Sequence, residues 1–471
     1  MNPQPPKEIS AAVHSVSALA PPLIAPDRTR KTISVVASAA MLFFAVMSGF
    51  QTAEASGSDI NADYLGTAPG RFNSILATDV DLDGRMEILF SNFDGRVKSI
   101  EFRDGDYYDE WQSPQIGARA WGLDAADLGG DSRKEIIAGD GDGNLFVFEY
   151  GTAKTLAAAN GLGRDVHGID TGDVDGDGVP EIIAGTGYKT DFPAGKVYIF
   201  EYMDNGGSGR LSIKKELAFN ESKHRGIAVS DVDGDGGAEI VIGSGIAQGE
   251  RPGEGYIHVV DGKSGRTEWT SEDLNGDAEG LCVHDLNGDG IPEIIAGTGY
   301  RYQEGYVLVF SYDNSTKDYK RVWKSENIGP KVFGLAVGDI DSDGTPEIVA
   351  GNQPGYIYVF NGADFRQKWK SPLLGMDVLG ITLSDVDSDG SVEIIAAQGG
   401  YDGKGDFTSA YTAPHIYIIG GKNYEFKTVL GEIDYIGLAF QIGTVLLFII
   451  TMLSLKRYLD ARRKNRGGGR S

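Results

Sequence analysis

Short apolar runs recur along most of the chain, separated by clusters of glycine and acidic residues. Residues 332–371 hold one full cycle of this pattern. Val332-Phe333-Gly334-Leu335-Ala336-Val337-Gly338 is apolar and small, and Glu347-Ile348-Val349-Ala350-Gly351 follows an acidic loop. Gly355-Tyr356-Ile357-Tyr358-Val359-Phe360 then mixes β-branched and aromatic residues. Runs of this composition, bounded by glycine and aspartate, predict β-strands. Arg366-Gln367-Lys368-Trp369-Lys370-Ser371 is more polar and predicts a fourth, outer strand. The cycle recurs seven times, with the first Asp of its acidic loop at Asp79, Asp127, Asp173, Asp231, Asp285, Asp339 and Asp385. A period near fifty residues marks a repeat architecture. Four short strands per repeat, closed in a circle, predict an all-β fold, a seven-bladed β-propeller. A small residue five positions before each loop (Ser74, Gly122, Gly168, Gly226, Gly280, Gly334, Gly380) predicts a crowded innermost strand at the central channel. Trp-x-Ser recurs in the fourth strand at Trp111, Trp269, Trp323 and Trp369, and the repetition predicts aromatic wedges between blades.

The acidic loop carries the candidate chemistry. In Asp173-Val174-Asp175-Gly176-Asp177-Gly178-Val179-Pro180-Glu181, carboxylates stand at positions 1, 3, 5 and 9 and glycine at position 6. Alternate carboxylates point inward when a backbone curls around a hard cation, and the glycine permits the turn. The same positions hold Asp79, Asp81, Asp83 and Glu87 in the first copy, and Asp231, Asp233, Asp235 and Glu239 in the fourth. The fifth copy has Asp285, Asn287, Asp289 and Glu293. The sixth has Asp339, Asp341, Asp343 and Glu347, and the seventh Asp385, Asp387, Asp389 and Glu393. An EF-hand would need Glu at position 12, where these copies have Phe90, Ala184, Ile242, Ala296, Ala350 and Ala396. The loops are therefore metal candidates of another kind, with about six Ca2+ sites expected. The Asp127 copy has Gly129 at position 3 and Ser132 in place of the turn glycine. It is expected to keep the turn and bind metal weakly or not at all.

The two ends of the chain read differently from its middle. Thr32 to Phe50 is uncharged, follows Arg28, Arg30 and Lys31, and precedes Ala53-Glu54-Ala55. That order is a secretory signal or an uncleaved signal anchor. Ile436 to Leu455 is uncharged over a length that spans a bilayer as a helix. Lys456, Arg457, Arg462, Arg463, Lys464, Arg466 and Arg470 follow it, which places the tail in the cytoplasm. The expected domains are a leader at 1–55, the propeller at 56–434, a transmembrane helix at 435–455 and a basic tail at 456–471. The propeller then lies outside a cell membrane, with one pass or two according to the fate of the leader.

Across the chain, 68 acidic residues outnumber 43 basic ones, a net charge of −25. That balance argues against a nucleic-acid partner. Cys282 is the single cysteine, so no intrachain disulfide forms and packing and metal must hold the exported part. Asn220-Glu221-Ser222 and Asn314-Ser315-Thr316 are glycosylation sequons of low specificity. The six histidines show no metal-ligand spacing, and no Ser or Cys sits in a nucleophile motif, so no catalytic residue is assigned. Insertions at 187–195, 244–255, 298–305 and 398–414 separate the second and third strands. They carry Tyr188, Phe192, Arg251, Tyr300, Tyr302, Tyr401, Phe407 and Tyr411. Long aromatic loops on one face of a rigid scaffold suit a recognition surface.

The run Phe333-Gly334-Leu335, Asp339-x-Asp341-x-Asp343-Gly344 and Glu347-Ile348-Val349-Ala350-Gly351 resembles the FG-GAP/VCBS repeat, the blade of integrin-α-type propellers. The resemblance covers roughly 71 to 431. It implies seven blades with calcium in the loop between the first two strands. The family pattern commonly has Asp at the ninth position, where this chain has Glu. It also implies a calcium-binding cell-surface module for adhesion or ligand recognition, with an extracellular protein or glycan as partner. A calcium-dependent carbohydrate-active enzyme, similar to polysaccharide lyases on related propellers, is the alternative.

Overall fold

The computed structural model describes residues 72–430, apart from 93, 118, 164, 188–194, 205, 207, 247–252, 300–303, 354, 375–376 and 400–414. These residues form 28 strands joined by turns. Each repeat is an antiparallel meander of four strands, as the alternation of apolar runs and polar loops dictates. In the sixth repeat the strands are Lys331–Gly338, Glu347–Gln353, Ile357–Asn361 and Gln367–Lys370. Val337 pairs Ile348, Val349 pairs Val359, and Val359 pairs Trp369.

The second strand of each meander is apolar on both faces because both faces are covered. Ile348, Val349 and Ala350 are each fully buried. Ile348 and Ala350 pack against Ile295, Val307 and Val309 of the fifth repeat, while Val349 packs with Ile394 and Ala396 of the seventh. The same arrangement joins the ends of the ring: Ile395, Ala397, Ile416 and Ile418 of the seventh repeat share a core with Ile88, Phe90 and Ile100 of the first. A fully buried Ile or Val of this kind contributes about 1.5–3 kcal/mol, so the interfaces between sheets, not any single sheet, hold the ring together.

Five repeats form separate four-stranded sheets, whereas the fifth and sixth share one eight-stranded sheet. Seven separate sheets were expected from the sequence. The link is a single pair, Gly299 with Lys331. A β-carbon on Gly299 would stand 1.9 Å from the Pro330 carbonyl oxygen, so only glycine lets the two backbones come this close. The small residue of each innermost strand works in a related way. A β-carbon on Gly168 would lie 2.6 Å from the Arg225 carbonyl oxygen, so the crowding comes from the neighbouring innermost strand. In the first repeat Ser74 fits by donating its hydroxyl to the Trp121 carbonyl at 2.9 Å.

The tryptophans act as wedges. Trp111 lies against Tyr150, Trp269 against Tyr319, Trp323 against Phe365 and Trp369 against Tyr424, with ring centroids 4.9–5.4 Å apart. Each contact crosses to the next repeat. The serine of Trp-x-Ser pins the strand beside it: Ser325 Oγ accepts the Val307 N–H at 3.0 Å and donates to the Glu326 carbonyl at 2.7 Å. A buried ion network, not foreseen from the sequence, joins three innermost strands. Lys223 Nζ meets Asp277 and Glu279 at 2.5 and 2.8 Å, and Lys331 Nζ meets the same two at 3.0 and 2.8 Å. Charges buried this deeply persist only when paired, so the network fixes the order of these strands.

Among the described residues, no helix is long and apolar enough to cross a membrane. The leader at 1–55, the apolar segment 436–455, the tail and the aromatic parts of the four insertions lie outside the described residues.

His224 gives the fold a pH signature. It is fully buried, with Nε2 3.3 Å from the Gly195 carbonyl oxygen, and burial pulls its pKa down to about 4 against the nearby Glu221 carboxylate. The unfolded chain protonates this imidazole near 6.5 while the folded chain resists, so stability is lost as pH falls from 6.5 towards 4. Denaturant melts of the wild type and His224→Gln at saturating calcium are expected to show the wild type losing about 3 kcal/mol relative to the variant between pH 7 and 4. A difference independent of pH would contradict this.

Candidate metal centre

Each acidic loop is built around its first aspartate. Asp173 Oδ1 accepts the Gly176 and Asp177 N–H groups at 2.7 and 3.0 Å, and Oδ2 accepts the Gly178 N–H at 2.8 Å. These bonds, led by that from Gly178, hold its carboxyl below the usual range. The position-1 aspartate therefore holds the turn through backbone hydrogen bonds of its own. The Asp127 copy shows the consequence. Asp127 accepts Gly130, Asp131 and Ser132 N–H groups at 2.6–3.1 Å, and Ser132 takes the left-handed conformation (φ 73°) that glycine holds elsewhere. That copy keeps the turn without the third-position carboxylate.

The ninth residue closes the loop from below. Glu87, Glu181, Glu239, Glu293, Glu347 and Glu393 begin the second strand and are at most 3% exposed. In all seven copies the glutamate at this position, Glu135 included, accepts through Oε2 the N–H of the second loop residue at 2.7–3.1 Å. In the six full copies the other oxygen, Oε1, differs in its surroundings. A family with Asp at this position would have a shorter reach; Glu spans the gap to the loop backbone and still turns one oxygen outward.

Five loops gather three carboxylates so that one oxygen from each lies within 4.8 Å of the others. The groups are Asp79, Asp81 and Glu87; Asp173, Asp175 and Glu181; Asp231, Asp233 and Glu239; Asp339, Asp341 and Glu347; and Asp385, Asp387 and Glu393. Six loops were expected to do so. In the sixth candidate, Asn287 donates its amide to Glu293 Oε1 at 2.6 Å and Ser311 donates to the same oxygen at 3.0 Å. The position-5 residues Asp83, Asp177, Asp235, Asp289, Asp343 and Asp389 stand outside these groups. Each accepts the N–H two residues on through Oδ1, at 2.8–2.9 Å. Accepting a loop N–H does not set these residues apart, since Asp81, Asp233 and Asp387 at position 3 accept the N–H two residues on as well.

The donor sets fit a hard cation. All are oxygens, which suit calcium or magnesium over softer metals. Glu87 Oε1 and Asp79 Oδ1 are buried acceptors with no hydrogen-bond donor. Burial pushes Glu87 up to about 7 and Glu239 up to about 8, with neighbouring aspartates adding to the rise. A divalent ion would supply the missing positive charge. Three lysines that sequence reasoning passed over, Lys214, Lys368 and Lys427, meet the third, sixth and seventh groups. Their one sequence signal is Lys368 immediately before a Trp-x-Ser motif.

Comparison with known proteins finds a described repeat over part of the chain, including the loops at Asp79, Asp127, Asp173, Asp285 and Asp339 but not those at Asp231 and Asp385. FG-GAP-like repeats match residues 79–138 and 285–350, and an FG-GAP repeat matches 167–200. Integrin alpha-6 of Gallus gallus is 29% identical over 150 residues, covering 28% of this chain and 14% of the integrin. Integrin alpha-PS2 of Drosophila melanogaster is 29% identical over 152 residues, 26% of this chain and 11% of the integrin. The chain thus spans a small part of the length of these relatives. The crystal structure of Saccharomyces cerevisiae Sqt1 covers 78% of this chain and 89% of its own at a TM-score of 0.52 and 12% identity, a likeness of fold alone. The chain is thus a β-propeller, parts of which match FG-GAP repeats and are similar in sequence to integrin alpha chains.

Proposed function

We propose that this chain is a calcium-binding cell-surface propeller that serves as an adhesion or ligand-recognition module. The observation that carries the reading is the five carboxylate groups, each at the same junction of first and second strand in an FG-GAP-type repeat. Calcium bound there would neutralise the clustered charge and tie the loop to the buried glutamate. The chain's own residues do the rest. The position-1 aspartate preforms the turn, the glutamate holds its N–H, and the stacked sheets keep every loop in place. The 28 strands divide into seven meanders, which supports a count of seven blades despite the shared eight-stranded sheet.

The proposed boundaries remain 1–55 for the leader, 56–434 for the propeller, 435–455 for a membrane helix and 456–471 for a cytoplasmic tail. The basic residues after Leu455 support that orientation. The partner would be an extracellular protein or glycan meeting the face that bears the insertions. On intact cells, added protease is expected to digest the propeller and spare an epitope placed on the tail. Loss of the tail epitope would reverse the topology.

Calcium binding only the folded state stabilises it by RT ln(1 + [L]/Kd), about 2.7 kcal/mol per site at a hundredfold excess over Kd. Chelation of the full-length chain is therefore expected to lower its melting temperature by roughly ten degrees or more. An unmoved melt together with no bound metal would reduce the loops to acidic turns. Glycan and protein arrays probed with and without calcium identify the ligand class. Retention of a ligand without chemical change is expected, and cleavage of a glycan would favour the carbohydrate-active enzyme instead.

A further inference from the structure

The six glutamates that close the full loops are alike in every respect but one, the partner of Oε1. In the third, sixth and seventh loops that oxygen meets a lysine Nζ at 2.7, 2.9 and 2.8 Å. The same ammonium groups also reach the position-3 aspartates: Lys214 to Asp175 at 2.6 Å, Lys368 to Asp341 at 2.5 Å and Lys427 to Asp387 at 2.9 Å. In the fifth loop Asn287 and Ser311 meet it. In the first and fourth loops, among the described residues, no donor meets it and no Lys or Arg lies within 4 Å of the grouped carboxylates. Glu87 is fully buried and its Oε1 is left without a partner beside Asp79 and Asp81.

The difference traces to one position. The fourth strand of each repeat bulges against the third, leaving one residue out of register between the two paired ones. Lys214, Lys368 and Lys427 are the out-of-register residues of their strands. In the first and fourth repeats the same place holds Glu110 and Glu268, which pair with Arg103 and Arg266 at 2.7 Å. A bulge re-aims its side chain, and here three lysines are aimed over the neighbouring loop of their own sheet.

We propose that the bulge residue sets which loops take up a divalent cation: lysine there is a tethered monovalent cation that competes with it, so the first and fourth loops are the tight sites. This rests on the reading of the loops as calcium sites and divides them into two classes. A divalent ion entering the third, sixth or seventh loop must displace an ammonium that holds two or more carboxylates. An ion entering the first or fourth displaces no basic side chain from the grouped carboxylates, and in the first it also meets Glu87 Oε1 and Asp79 Oδ1, buried acceptors that lack a donor. Asp175 Oδ1 and Asp341 Oδ1 are likewise without a donor, so the lysine is what separates the two classes. Losing one or two charge-assisted hydrogen bonds weakens uptake by about tenfold to a hundredfold. The three lysine-bearing loops in turn stay neutralised when calcium is scarce, so their blades depend on it least.

Equilibrium dialysis of the full-length chain against radioactive calcium tests this. The wild type is expected to bind two ions tightly and the rest more weakly, by about tenfold or more. The triple variant Lys214→Met, Lys368→Met, Lys427→Met is expected to bind five tightly. Glu268→Lys, the converse change on an exposed strand, is expected to reduce the tight ions from two to one and keeps the test decisive if the triple variant does not fold. Five equal sites in the wild type, or an unchanged count in Glu268→Lys, would overturn the division while leaving the calcium reading intact. No bound calcium in any of these chains would overturn both.

Discussion

The structure depends on a buried glutamate carboxyl at the start of the second strand in six of the seven repeats. One oxygen is held by a loop N–H, so the acidic loop and the apolar strand cannot separate without leaving a buried carboxyl short of its donor. The other oxygen must find positive charge or a donor. Each of the six full loops can be understood as one answer to that demand: a lysine, an amide with a hydroxyl, or a site fit for a divalent ion. The loops are thus coupled to the core through the same residue that would ligate metal. Metal binding and folding are then linked within each blade.

The ring supplies the rigidity that makes those answers reproducible. Second strands buried on both faces leave little room for a sheet to shift, and tryptophan wedges register adjacent repeats at four junctions. The bulge in the fourth strand is a shift of one residue in pairing, and it decides which side chain hangs over the loop. A single residue exchange there changes the electrostatics of a site without touching any ligand. Repetition makes such variation cheap, since each blade contacts chiefly its two neighbours.

Much of this was legible in the sequence. The strand run from Val332 to Phe360, the wedging role of Trp323 and Trp369, and the retained turn at Asp127 all follow from composition and period. What was not legible depends on register and on pairwise geometry. Asp177 and Asp175 are equivalent by spacing, but only the fold shows that Asp177 bonds the Val179 N–H while Asp175 joins Glu181. Asn287 reads as one more metal ligand, and only the fold shows its amide donating to Glu293 Oε1. Lys214 lies far from Asp173 along the chain, and its approach is set by a bulge that no hydrophobic pattern records. The fusion of two sheets through Gly299 likewise turns on one close backbone contact.

The central claim is that the ninth-position glutamate joins the folded core to a bound divalent ion. Anomalous diffraction from crystals grown with calcium tests it most directly. The account expects anomalous density in the first and fourth loops, with Glu87 Oε1 and Glu239 Oε1 at about 2.3–2.6 Å from the ion, within the usual range for calcium and oxygen. Density confined to the exposed position-5 aspartates, or Glu87 and Glu239 turned away from any ion, would contradict it.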